Sequence, residues 1–139
     1  MRVVPLPPPP AQPLTPVPAV PSEGESIAVT WCREIATAVA TALGVEAMQI
    51  GYLLTLHPGL PAPHTLHTAF TVPGRTRAHT VRAAAVWDDL WTEPGFALAV
   101  DDRPVTLDPS GPARPAVVLA HAAWQAVTDA DPVAAVGVR

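Results

Sequence analysis

The chain has 139 residues, among them 19 prolines, 25 alanines and eight arginines, with no lysine and no asparagine. Its length suits one domain with one core, and its 49% hydrophobic and 14% charged content excludes an ordinary disordered acidic or basic chain. A net charge of −4 argues against a general nucleic-acid binder.

The residue bias is what a GC-rich genome produces and says nothing physical about function. One cysteine, Cys32, leaves no intramolecular disulfide. Prolines interrupt the start of the chain, where a signal peptide needs a continuous apolar helix. No run approaches the ~18 apolar residues of a membrane span. The expected setting is the cytoplasm, or a virion assembled there, with no membrane contact.

Nine of the 19 prolines fall in residues 1–21. Their fixed φ and missing N–H donors predict an extended polyproline II arm. The arm is also apolar, with Val3, Val4, Leu6, Leu14, Val17 and Val20 where a solvated linker would carry serine, glycine or charge. Either it is a disordered tail or it docks on a surface. Docking makes Val4, Leu6, Pro7, Pro8, Pro9, Pro10 and Leu14 the candidate partner-binding residues. The expected division is an arm over 1–21, a compact body over 22–131 and a short tail over 132–139. The body is expected to fold without the arm.

Ser22 and Glu25 have capping-box spacing, and Ile27, Trp31, Ile35, Val39 and Leu43 recur every four residues, predicting a helix that ends at Gly44. Residues 48–57 and 65–72 alternate polar and apolar, predicting an antiparallel hairpin across the loop 58–63. Ala83, Val86, Trp87 and Leu90 fit a helix over about 77–91, although 75–82 could continue as strand. Phe96, Leu98 and Val100, a turn at Asp101-Asp102, and Val105 to Leu107 predict a second hairpin. Pro115 opens a final helix to about Thr128. The expected fold is α+β in the order α-ββ-α-ββ-α: a mostly antiparallel four-stranded sheet with helices on one face and four tryptophans supplying much of the core.

No catalytic motif stands out. Ser22, Ser26 and Ser110 lack a nucleophile elbow, and no glycine-rich phosphate loop is present. Cys32 lies mid-helix as a small hydrophobe. Asp88-Asp89 and Asp101-Asp102 are neighbours that do not face each other. His57 and His67 could lie cross-strand with His79 beyond, a candidate metal site or small enzyme centre, although no acid lies between Glu46 and Asp88. In that stretch the formal charges are Arg75, Arg77 and Arg82, whereas 88–108 carries six acids against Arg103. Such opposed patches could meet head to tail between copies. The arginines could instead contact phosphate, which the acidic balance disfavours.

The expectation is therefore a non-enzymatic structural or interaction protein, without a cofactor. It joins protein partners, by self-association or in a larger assembly, through its arm and charge-asymmetric surface. A phage tail- or connector-completion component, or a small acidic chaperone, suits the size and element order. The alternative is a metal-binding module or enzyme built on His57, His67 and His79.

Overall fold

A computed structural model describes residues 1–88 and 93–131. Strands β1 (Arg2–Val3) and β2 (Thr15–Pro16) lie in the arm; helix α1 (Ile27–Leu43) follows. Four longer strands come next, β3 (Met48–Thr55), β4 (His64–Pro73), β5 (Ala78–Trp87) and β6 (Gly95–Val100). The short β7 (Arg103–Pro104) and helix α2 (Pro115–Ala130) complete the described chain. Strands β3 to β6 form an antiparallel meander; β1 adds in parallel beside β6, β2 adds antiparallel beside β3, and β7 also pairs with β6.

The fold is α+β with a mixed, seven-stranded sheet, not the expected four-stranded antiparallel one. The largest departure is 77–91. Residues 78–87 form a ten-residue strand paired along its whole length with β4. Ala83-Ala84-Ala85 carries no periodicity of its own, and the β-branched Thr80, Val81 and Val86 favour a strand once β4 and β6 flank it. The rest of that expected helix, 89–91, falls in the stretch 89–92 outside the described residues, as does the tail 132–139. Without a middle helix there, the α-ββ-α-ββ-α order, and the analogy with small acidic chaperones built on it, no longer holds.

Both helices cover one face. Leu66, Phe70 and Val72 of β4, Val81, Ala83 and Ala85 of β5, and Phe96, Leu98 and Val100 of β6 meet Cys32, Ile35 and Val39 of α1 and Leu119, Ala123 and Val127 of α2. Each of these strand residues has a cross-strand partner of the same orientation, such as Phe70 opposite Val81, so the period-two pattern gathers them on one side. Burial raises the Cys32 thiol to about 11, with Thr68 pulling the other way, which makes it packing material rather than a nucleophile.

Helix α1 begins later than Ser22 implies. Gly24 takes the left-handed conformation (φ 77°), which closes a turn over 22–25 and forbids a helix there. Ser26 is the N-cap, its Oγ accepting from the Val29 N–H. Ile27 is consequently 88% exposed instead of facing the core. Gly44 terminates the helix as expected. The tryptophans are not core residues either: Trp31 and Trp87 pack partly buried against its rim and Trp124 is half-buried, while Trp91 lies outside the described residues. Alanines, valines, leucines and two phenylalanines fill the interior instead.

Candidate functional site

The arm sets up the first region of interest. Val4 N–H donates to the Phe96 carbonyl beyond β1, and Val17 N–H to the Ile50 carbonyl beyond β2. Pro16 is tolerated because β2 is an outermost strand, where a missing donor faces away from the ladder. The sheet order puts β1 and β2 at opposite edges, five strand spacings or ~24 Å apart. The residues between them span roughly 31–34 Å as polyproline II, enough to cross the sheet with little slack.

They cross on the face the helices leave open. Gly95 and Gly51 both point that way, opposite Val86 and Ala69. A Cβ at Gly95 would overlap Val4 Cγ1, and one at Gly51 would stand 2.8 Å from Leu14 Cβ. Each flanking strand thus has a glycine notch under an apolar arm residue. Between the notches the register aligns Leu53, His67, Ala84 and Ala97 in one row. Ala84 is 0% exposed and His67 7% exposed, although neither helix lies on this side. The arm is their cover, and alanines keep the floor low enough for it. Of the arm residues singled out from sequence, Val4, Leu6, Pro7, Pro10 and Leu14 are half-buried, while Pro8 and Pro9 face solvent. The arm therefore docks within its own chain.

Under this cover lies an unusual pair. His67 sits diagonally across from Arg82, since His67 pairs with Ala84 and Arg82 with Ala69. Arg82 Nη1 is 4.0 Å from Asp102 Oδ1, and its buried Nη2 has no hydrogen-bond partner. Burial first, and the Arg82 charge second, hold the His67 ring below the ordinary histidine range. A group held down in the folded state contributes stability above its unfolded value of ~6.5 and loses it as pH falls through that value. No charged residue lies between Arg2 and Glu23, so the arm offers a protonated His67 no counter-charge. The protection of the Val4 and Val17 amides, taken relative to their intrinsic exchange rate, is expected to fall between about pH 6.5 and 5, while core amides stay protected. His67→Leu should remove that dependence; an unchanged pH profile in the variant would contradict the assignment.

The second region assembles at the opposite end of the helix-covered face. His79 is 0% exposed. Its Nδ1 lies 2.7 Å from Asp101 Oδ2 and its Nε2 3.4 Å from Asp131 Oδ2. Asp101 also accepts the Thr80 N–H at 3.1 Å and pairs with Arg77 at 3.2 Å. Asp131 accepts both the backbone N–H and the hydroxyl of Thr76. Burial opposes ionisation of Asp101, but the His79 and Thr80 hydrogen bonds and the His79 and Arg77 charges outweigh it and lower its carboxyl. Asp101 and Asp102 reach the positive φ values of 52° and 63° that a tight two-residue hairpin turn requires. The cluster ties the β4–β5 turn, the β6–β7 turn and the end of α2 together. Gly74 makes room for it: a Cβ there would lie 2.6 Å from the imidazole and 2.5 Å from the Arg77 carbonyl. Gly74→Ala is expected to cost about 1–3 kcal/mol in denaturant unfolding; a loss below 0.5 kcal/mol would mean the turn simply shifts.

The histidine trio is not brought together. His67 lies beneath the arm, His79 on the opposite face, and His57 in the loop after β3, its backbone N–H donating to His64 Nδ1. Among the described residues no three His, Cys, Asp or Glu side chains are grouped to hold a metal ion. The charged stretches meet internally, through Arg77–Asp101 and Arg82–Asp102, while Arg75 is exposed beside a cleft between the ends of α1 and α2. Separate basic and acidic patches are therefore not what this part of the surface presents. No signal of local spacing could have revealed the His79 cluster, because its members stand 22 and 52 residues apart. The only hint was that strand periodicity over 78–87 puts a histidine among apolar residues, where it needs partners.

No helix among the described residues is long and apolar enough to cross a membrane. Comparison of the chain with protein-family models, with curated proteins and with solved structures finds no match.

Proposed function

We propose that this protein is a non-enzymatic structural or interaction component that joins a larger assembly through its proline-rich arm. The observation that carries this reading is how the arm is held. It crosses one sheet face and caps both edges, yet each edge strand in it is two residues long. Lifting it bares an alanine-floored face and the unpaired backbone of β3 and β6, surfaces that readily accept another chain. The His79–Asp101–Asp131 cluster supports the same reading, since the buried His79 and Asp131 side chains are committed to tying two turns to the end of α2. A virion component such as a tail- or connector-completion protein, made in the cytoplasm, is the setting that suits a small domain with a detachable arm.

Light scattering tests this directly. The full chain is expected to gain mass with concentration in a defined, reversible step, whereas Leu14→Asp, whose arm no longer seats over Gly51, loses that step and scatters as heterogeneous aggregate, with an unchanged circular dichroism spectrum when dilute. A full chain that stays monomeric throughout, with arm amides as protected as those of Phe70 and Val81, would overturn the proposal.

A further inference from the structure

We infer that the arm's partner is a second copy of this chain, and that two molecules exchange arms, each laying residues 1–17 across the other's open sheet face. This rests on the assembly reading above and names the occupant. The argument is one of matched spacing. Val4 and Leu14 sit over Gly95 and Gly51, at opposite edges of one sheet. A foreign sheet would need small residues at the same two places, at the same separation, with a low floor between them. The sheet known to meet that requirement is this chain's own, so an exchanged arm makes every contact of the closed form and needs no new complementarity.

The connection between arm and body is suited to the exchange. Residues 18–25 join β2 to the start of α1, and 18–24 are exposed. Extended, these eight residues reach roughly 26 Å. Pro18 and Pro21 stiffen the segment and resist folding back on itself. Arg33 holds its two ends, donating to the Pro18 carbonyl at 2.8 Å and pairing with Glu25. In the exchange the Glu25 end stays on its own Arg33, whereas the Pro18 carbonyl leaves with the arm and is received by the partner's Arg33. Two such exchanges close symmetrically, so the product is a dimer and not an open chain.

The experiment uses full-length chains in a Cys32→Ala background with tags of different size. Thr15 and Tyr52 face each other across β2 and β3. One chain therefore carries Thr15→Cys and the other Tyr52→Cys, and the mixture is incubated and then oxidised. A covalent heterodimer is expected, about a hundredfold faster than with Glu46→Cys, an exposed off-register control, because exchange raises the local thiol concentration to the millimolar range. A C-terminally labelled peptide of residues 1–17 provides a second readout that needs no core substitution. It is expected to bind the wild-type chain, and Gly51→Val to abolish its binding. Cross-linking no faster than the control, together with no peptide binding, overturns the exchange. If Leu14→Asp still abolishes the defined step in mass in that case, the assembly reading survives and only the identity of the partner fails.

Discussion

A chain that begins at Pro18 is expected to melt on the order of 10 °C below the full chain and to aggregate. Val4, Leu6, Leu14 and Val17 are each about half-buried, and half-burial of such side chains contributes roughly 1 kcal/mol apiece. Ordering an arm costs conformational entropy, but the seven prolines of residues 1–17 have already restricted this one in the unfolded chain. Against a typical total of 5–15 kcal/mol, a net loss of ~2–3 kcal/mol gives a drop of that size in a chain this long. Solubility falls for a separate reason. Truncation uncovers the row from Leu53 to Ala97 and frees the outer backbone of β3, an eight-residue strand. Thermal unfolding with parallel light scattering checks both. A truncated chain that melts with the full one and stays monomeric would return the arm to the separable status its composition suggests.

The contrast shows where local sequence stops being informative. The hairpin over 48–72 is legible because each strand faces the helices on one side and lesser cover on the other, so the pattern alternates. Pro115 marks α2 because a missing N–H is harmless only in a first turn. Strand β5 is hidden because its Ala83–Ala85 stretch is buried on both faces, under helices on one side and arm on the other, and alanines serve both. Ser22 and Ser26 compete for the same cap, and the deciding fact is the φ of Gly24. The arm's proline content predicts its conformation but not its berth. That depends on Gly51 and Gly95, which lie 37 and 91 residues from Leu14 and Val4. Long-range matches of this kind leave no trace in spacing or periodicity.

The same limit applies to the His79 cluster, where a single change is expected to have the largest effect in the body. Asp131→Ala removes the acceptor of the Thr76 N–H and hydroxyl and the partner of His79 Nε2. The exposed Thr76 can turn to water, but the buried His79 Nε2 so orphaned costs about 1–3 kcal/mol, and breaking a buried pair by deleting one member typically costs 3–5 kcal/mol. A loss near 4 kcal/mol is expected in denaturant unfolding, with the end of α2 exchanging fastest. Asp101→Asn should be milder, because Asp101 is partly exposed and an amide oxygen can still accept from Thr80. Its signature is in the pH dependence. A carboxyl lowered in the folded state contributes stability that is complete above its unfolded value near 3.8 and disappears as pH falls through the folded one. The wild type should therefore lose stability below about pH 4 more steeply than Asp101→Asn does, and raising pH from 5 to 7 should change nothing through this group. Equal acid slopes in the two proteins, or an Asp131→Ala chain as stable as the wild type, would mean that the turns and α2 are held by apolar packing and that the cluster is a passenger. The expected outcome makes it the tie that keeps the helix layer seated on the sheet, so that the opposite face, with its removable cover, can open without unfolding the rest.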